Sequence, residues 1–159
     1  MGAAMTANST KAWEDFVLDD SVPYLMIRVS GLMNRQLELD LRPLKVSFQH
    51  WRVLAVLAQK NGSSITDLSE YAVVPHSSLS RLLSRMEADG YVRRQMDTQD
   101  ARTVRVYTTA VGEAMYRRIL PMAVAVRERA MAGLSAVQKT SLLAALNHML
   151  GSMQAPAKT

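Results

Sequence analysis

The sequence predicts a mainly α-helical domain that carries a small β-hairpin. Apolar residues recur at three- and four-residue intervals through most of the 159 residues, which is typical of amphipathic helices. One short stretch, Val104 to Thr108, instead alternates between apolar and polar residues and indicates a half-buried strand. Glycine and proline number only seven and five, which disfavours long irregular segments.

The N-terminal half begins with two helices. Residues 1–12 are small and polar, and we expect a disordered terminus there. Sustained three-four periodicity predicts a long amphipathic helix from Ser21 that ends before Pro43, so that residues 13–45 form one helical segment. A second helix is predicted from Ser47, a good N-cap, to the stop signal at Gly62.

Two short helices follow, separated by a tight break. Ser64 and Asp67 have the spacing of a capping box and start the first of them. After a break at residues 72–75, the second runs from about His76 to Ala88 and is closed by Asp89 and Gly90. This pattern is typical of a helix-turn-helix.

A two-stranded hairpin and two further helices complete the chain. The strands are predicted at 91–95 and 104–108, joined by the loop 96–103. Helix resumes near Thr109 and passes Pro121, where we expect a bend, and a last helix starts at a second capping box, Ser135 with Gln138. A helix-turn-helix followed by a hairpin is a winged helix-turn-helix, assigned here to residues 46–112. The surplus apolar faces of the segments 13–45 and 113–152 predict N- and C-terminal dimerisation helices, and residues 153–159 a disordered tail.

Composition narrows the functional classes. The chain has 19 Lys and Arg against 14 Asp and Glu, a net charge of +5, which suits a polyanion such as DNA, RNA or an acidic membrane surface without choosing among them. The absence of cysteine excludes thiol chemistry and Cys-ligated zinc, and three widely separated histidines offer no metal set. With no apolar run near the roughly 18 residues of a membrane span and no secretory leader pattern, we expect a cytoplasmic protein without cofactor or membrane partner.

The helix 76–88 has one apolar and one polar face. Its leucines and Met86 fall at three-four spacing and are predicted to face the core. The opposite face carries small hydroxyls near the helix N-terminus, which permit close approach to a DNA groove, and arginines that reach phosphate or guanine. The predicted DNA contacts on it are His76, Ser77, Ser78, Ser80, Arg81 and Arg85. The alternative is a solvated helix face.

The hairpin loop presents an arginine between aspartates. A wing beside a recognition helix lies over a neighbouring minor groove, whose negative potential attracts arginine, so we expect Arg102 to insert there. Asp100 is predicted to accept a hydrogen bond from Arg102 or a nearby strand arginine and to hold it outward. Arg94, with Arg93 and Arg105, adds phosphate-facing charge along the strands. The alternative is ordinary turn chemistry with a solvated arginine.

The residues from Val46 to Gly112 resemble the MarR family of bacterial transcription regulators, and the flanking helices fit that family's dimerisation region. The matching pieces, taken in order, are Gln49-x-Trp51-x-Val53-Leu54, Thr66-Asp67-Leu68, Leu79-Ser80-Arg81-Leu82, Met86-Glu87-x-x-Gly90-Tyr91-Val92-x-Arg94, Asp100-x-Arg102 and Thr108-Thr109-x-x-Gly112. The resemblance implies a homodimer that binds a pseudo-palindromic operator in double-stranded DNA, with the recognition helix in the major groove and the wing arginine in the minor groove. Pro75 departs from the pattern, because a serine or similar cap often stands there.

The resemblance also implies a small anionic aromatic effector that binds between the dimerisation helices and the winged domain and releases the DNA. Candidate pocket residues are Tyr24, Arg28, His50 and Trp51, because arginine pairs with a carboxylate and rings stack on an aromatic body. The alternatives are a core role for Trp51, a solvated Arg28 and a dimer contact by Tyr24.

The leading hypothesis is therefore a sequence-specific, ligand-responsive repressor. The alternative is a winged-helix module for protein contacts, without specific DNA binding. An enzyme is not expected, because no nucleophile–base pair, Gly-rich phosphate loop or metal set occurs in the sequence.

Overall fold

A computed structural model of the protein describes residues 17–100 and 102–154. The main elements are α1 (Val22–Leu41), α2 (Phe48–Gln59), β1 (Ser63–Ser64), α3 (Ile65–Tyr71), α4 (His76–Ala88), β2 (Val92–Met96), β3 (Val104–Thr108), α5 (Ala110–Ala130) and α6 (Ala136–Gln154). Short 3₁₀ turns at Leu18–Asp20 and Arg42–Leu44 flank α1. The mainly helical class with a small wing is confirmed. The chain divides into two compact units, one ending at Phe48 and one beginning at Gln49.

In the described residues, the first unit contains α1, its flanking turns and the residues up to Phe48. Pro23 lies in the first turn of α1, where its missing N–H is not needed, and the helix ends in the 3₁₀ turn that contains Pro43, as predicted. Large apolar side chains on α1 are exposed, including Ile27 at 71% and Leu32 at 63%. This apolar surface is the property that led us to predict a dimerisation helix.

The core of the second unit lies beneath the helix-turn-helix and its sheet. Its fully buried side chains include Val53, Leu54, Leu57, Leu68, Val74, Leu79, Leu83, Met86, Val92, Val106 and Ile119. Removal of these apolar groups from water is the main favourable contribution to folding of this unit.

The wing belongs to a three-stranded antiparallel sheet in the order β1-β3-β2. Val92 pairs with Thr108 and Met96 with Val104 in the hairpin, and Ser63 pairs with Val106 on the other side of β3. The predicted two-stranded hairpin is confirmed, and the sequence analysis missed only the short third strand, β1. A two-residue strand has no periodicity to detect, and β1 exists because the β3 backbone offers it hydrogen-bonding partners.

Local capping signals are confirmed. Ser64 and Asp67 form the reciprocal capping box of α3, and Ser135 and Gln138 form that of α6. Helix α5 continues unbroken past Pro121. The predicted tail begins too early, because Met153 and Gln154 belong to α6, whose backbone bonds extend that far. The predicted disorder at 1–12 and at 155–159 lies outside the described residues.

Gly112 marks the junction between the sheet and α5. A Cβ atom added there would overlap the Tyr91 carbonyl oxygen and lie 2.6 Å from the Thr108 hydroxyl. Thr109 caps α5 by accepting a hydrogen bond from the Gly112 amide at 3.1 Å. Only glycine fits this approach of helix to strand.

Candidate DNA-binding surface

Helix α4 separates its two faces as the sequence predicts. Leu79, Leu82, Leu83 and Met86 are buried. The six predicted DNA contacts on this helix are all exposed: His76, Ser77, Ser78, Ser80, Arg81 and Arg85. The apolar face fixes the helix to the core, so the polar face is presented to solvent as one surface.

The polar groups of α4 differ in the hydrogen bonds and ion pairs that they form within the protein. The Ser84 hydroxyl donates to the Ser80 carbonyl at 3.1 Å, whereas the Ser80 hydroxyl lies 3.5 Å from the His76 carbonyl. Within the described ranges, Arg81 and Arg85 have no ion pair. Their guanidinium groups are therefore available to an external anion.

Pro75 stands at the N-cap of α4, with φ −54° and ψ 137°, and supplies no side-chain cap. Its carbonyl nevertheless accepts the amides of Ser78 and Leu79, both at 2.9 Å. The helix thus starts at His76 in spite of the departure from the family pattern, because the fixed φ of proline suits a helix entry.

Arg94 links α4 to the wing. Its guanidinium donates to the Glu87 carboxylate at 2.6 and 2.8 Å, and its backbone N–H donates to the same carboxylate at 2.8 Å. These side-chain and backbone hydrogen bonds lower the pKa of Glu87, which keeps the carboxylate ionised. The sequence-based prediction treated Arg94 as a phosphate contact, but the structure pairs its charge within the protein.

The wing loop is held by aspartate turns. Asp97 and Thr103 close it with a backbone bond of 2.8 Å. Asp100 accepts the Arg102 backbone N–H at 3.0 Å and the Thr103 hydroxyl at 2.9 Å. Asp100 therefore binds the backbone of Arg102, and among the described residues it does not form the predicted bond with the Arg102 guanidinium. In the part of the chain that the structure describes, the Arg102 side chain is exposed and has no protein partner.

The strand arginine of the wing is held by Asp97, not by Asp100. The Arg105 guanidinium pairs with the Asp97 carboxylate and donates to the Gly62 carbonyl at 3.0 Å. The Gln99 backbone bond, together with Arg105, lowers the pKa of Asp97, and Asp97 raises that of Arg105. Both groups stay charged through the neutral range, so Arg105 anchors the wing base and adds no net charge to its surface.

Arg93 lies on the exposed side of β2. Its guanidinium is 4.5 Å from the centroid of the Tyr107 ring and donates to the Gln95 amide oxygen at 2.7 Å. Both partners are neutral, so Arg93 keeps its positive charge at the surface. The uncompensated cations of α4, β2 and the wing are thus Arg81, Arg85, Arg93 and Arg102.

Comparisons with known proteins identify the family of the chain. The model of the MarR family matches residues 44–103, which include the helix-turn-helix and most of the wing. A crystal structure of a MarR family transcriptional regulator from Silicibacter pomeroyi is 38% identical, with a TM-score of 0.81 over 89% of this chain and 95% of that one. The chain belongs to the MarR family. MarR regulators are DNA-binding transcription factors that act as dimers.

Two further relatives are a named repressor and a protein solved with a bound ligand. The HTH-type transcriptional repressor IacR of Pseudomonas putida is 29% identical over 87% of this chain and 81% of its own length. The MarR family protein Rv2887 of Mycobacterium tuberculosis, solved in complex with salicylic acid, is 26% identical with a TM-score of 0.67, over 84% of this chain and 99% of that one.

The four candidate effector residues lie in different units of this MarR protein. In the first unit, Arg28 donates to the Tyr24 hydroxyl at 3.3 Å and lies over its ring. In the second, Trp51 stacks on Tyr116 with centroids 5.5 Å apart, and His50 meets the Tyr91 ring edge-on at 6.5 Å. A common pocket for Tyr24, Arg28, His50 and Trp51 stays a prediction.

Sequence reasoning missed the acidic partners of the wing arginines and the link from the loop after α2 to the sheet. That link is the Asn61 side chain, which accepts the Thr108 amide at 3.0 Å. Glu87 lies within the stretch that resembles the MarR family, but nothing in the neighbouring sequence indicates that it pairs with Arg94. Among residues 17–100 and 102–154, no cluster of three His, Asp or Glu side chains is placed to hold a metal, and no helix there is long and apolar enough to cross a bilayer.

Proposed function

We propose that this MarR protein is a transcriptional repressor that binds a pseudo-palindromic operator as a homodimer in the cytoplasm and releases it when a small anionic aromatic compound binds. The observation that carries this proposal is the exposed polar face of α4 beside a wing whose tip arginine has no protein partner among the described residues. The repressor role is supported by the name of the relative IacR.

The surface divides into base-reading and phosphate-contacting groups. Ser77, Ser78 and Ser80 lie at the N-terminal end of α4, where small hydroxyls allow close approach to base edges in the major groove. Arg81 and Arg85 follow one turn apart and reach phosphate or guanine. Arg102 enters the minor groove from the wing, and Asp100 holds the backbone of Arg102 in place by a hydrogen bond. Arg94 serves to join α4 to the wing.

Homodimerisation is supported by the terminal helices. Exposed apolar side chains on α6 include Val137 at 75% and Met153 at 84%, and α1 has a similar apolar surface. Apolar surface of this extent is typical of subunit contacts. A two-fold symmetric dimer presents two α4 helices to half-sites about 10 base pairs apart. Light scattering on the full chain tests this point: a monomer mass at micromolar concentration contradicts it.

The effector class is supported by the salicylic acid bound to the relative Rv2887. In the first unit, Arg28 offers a guanidinium for a carboxylate and Tyr24 offers a ring for stacking. A ligand releases DNA if it binds more tightly to a conformation that does not fit the operator.

The test of DNA recognition is enrichment from a random duplex pool at physiological salt. We expect an inverted repeat with half-sites about 10 base pairs apart. If no sequence is enriched by the apoprotein, the repressor proposal fails and the winged helix serves a protein partner instead. Titration of salicylate into the operator complex, followed by fluorescence anisotropy, then tests release, with benzyl alcohol as an uncharged aromatic control.

A further inference from the structure

The turn between the two helices of the helix-turn-helix has a disfavoured backbone conformation. Val73 has a φ of +51°, in the left-handed region that β-branched residues rarely adopt. Its side chain is 68% exposed, so burial does not offset this conformational cost. Other contacts must therefore hold the turn in place.

Hydrogen bonds hold the turn from two directions. From α3, the Ser69 carbonyl accepts the Val74 amide at 3.1 Å, and the Ser69 hydroxyl donates to the Val74 carbonyl at 2.8 Å. From α2, the Arg52 guanidinium donates to the Val73 carbonyl at 3.1 Å, across 21 residues of sequence. Of these bonds, only the one from Arg52 ties the turn to a different helix.

The environment of Arg52 strengthens this bond. The side chain is half-buried, and loss of hydration lowers its pKa, although arginine stays charged at neutral pH. A hydrogen bond from a charged donor is shorter and stronger than a neutral one, and reduced access of water increases the difference.

The turn sets the start of α4. Val73 is followed by Val74 and Pro75, and the helix begins at His76. A change of φ and ψ at Val73 therefore displaces the first turn of α4 more than the rest of the helix. The later part is anchored because Leu79 and Leu83 are fully buried. The first turn is the part that carries the proposed base-reading serines.

We infer that Arg52 is a positioning residue for DNA recognition: by binding the Val73 carbonyl it ties α2 to the turn and fixes the direction in which α4 presents its first turn to the bases. The inference rests on the proposed function, since it concerns specific reading of DNA by α4. Arg52 does not itself need to contact DNA.

The test compares operator and scrambled duplexes with the full-length protein. Arg52→Met keeps much of the side-chain length and removes the donor, and Arg52→Lys restores a charged donor. Arg117→Met is the matched control, because Arg117 on α5 is 76% exposed and loses the same charge. We expect Arg52→Met to lose about tenfold or more in affinity for the operator, which is the size of effect that one mismatched base pair has on specific binding, and less than about threefold in affinity for scrambled DNA, where phosphate contacts dominate. Arg52→Lys should recover part of the loss.

Hydrogen exchange supplies a readout that a general loss of stability would not reproduce. In Arg52→Met, the hydrogen-bonded amides of residues 73, 74, 78 and 79 should exchange faster while those of α2 and the wing stay unchanged. Equal weakening on both duplexes, or faster exchange throughout the second unit, overturns the inference.

If Arg52→Met does not fold, Arg52→Gln decides the matter, because it keeps a polar side chain but shortens the donor and removes its charge. Its operator-to-scrambled ratio should fall while the protein stays folded, and an unchanged ratio refutes the positioning role. A wild-type protein that does not discriminate the two duplexes is a failure of the proposed function. The exchange measurement on residues 73, 74, 78 and 79 then still reports on the Arg52 contact.

Discussion

Replacement of Arg102 by alanine tests the wing most directly. The Arg102 N–H that binds Asp100 is a backbone group, so Arg102→Ala keeps that bond and the adjoining one from Thr103. The side chain itself is exposed and has no partner in the described ranges. The substitution therefore removes one guanidinium from the DNA-binding surface without a structural cost to the free protein.

The expected loss follows from that single contact. An arginine that reads a groove contributes roughly 1–3 kcal/mol, which is about 5- to 150-fold in Kd at tenfold per 1.4 kcal/mol. Fluorescence anisotropy with the enriched operator measures it, and thermal unfolding should show no change. Arg118→Ala on α5 is a control of equal charge, and Arg102→Lys should recover only part of the affinity because a compact ammonium group suits a narrow groove less well. Wing insertion is refuted if Arg102→Ala binds as wild type, or loses no more than Arg118→Ala.

Three further predictions concern the rest of the surface and its support. Ser80→Ala should change the preferred base at one operator position with little effect on scrambled DNA, and a selection experiment that returns the same consensus contradicts base reading by Ser80. Gly112→Ala should lower the free energy of unfolding by about 1–3 kcal/mol, measured by urea denaturation, because its Cβ overlaps the Tyr91 carbonyl; an unchanged midpoint would show that the junction relaxes freely. Since Arg94 lowers the pKa of Glu87, this carboxylate stabilises the fold above its unfolded pKa of about 4.3 and loses the effect as pH falls through the folded pKa. Glu87→Gln should therefore cost up to about 1 kcal/mol at pH 7, as for exposed pairs, with a gap to wild type that closes as the pH falls through the lowered pKa of Glu87; a gap that persists in acid points to packing instead of charge.

Elements with local signals were predictable from the sequence. Helix α4 has the predicted bounds, His76 and Ala88, because Pro75 and the Asp89–Gly90 pair confine a strongly periodic segment. The capping boxes of α3 and α6 were equally clear, since both partners of each lie within four residues. Such features depend on short-range hydrogen bonds that any tertiary context preserves.

The partners of the wing arginines were not predictable in the same way. Sequence reasoning assigned the orientation of the wing arginine to Asp100, whereas the structure uses Asp97 for Arg105 and Glu87 for Arg94. Every arginine of a basic segment looks alike in sequence. Its charge is compensated or free only according to which carboxylate the folded chain brings beside it, and here those carboxylates lie seven or eight residues away on another element or across a loop.

The two internal ion pairs also set how many counterions the protein displaces from DNA. Because Glu87 and Asp97 compensate the charges of Arg94 and Arg105, each subunit has four uncompensated arginines on the described part of the surface formed by α4, β2 and the wing. The proposed dimer then has about eight uncompensated arginines. The logarithm of its binding constant should fall with the logarithm of salt concentration at a slope of about −7. If all six arginines of each subunit faced phosphates, the slope would be roughly −11. We therefore expect a rise in ionic strength to weaken this complex less than a complex in which all six arginines of each subunit face phosphates.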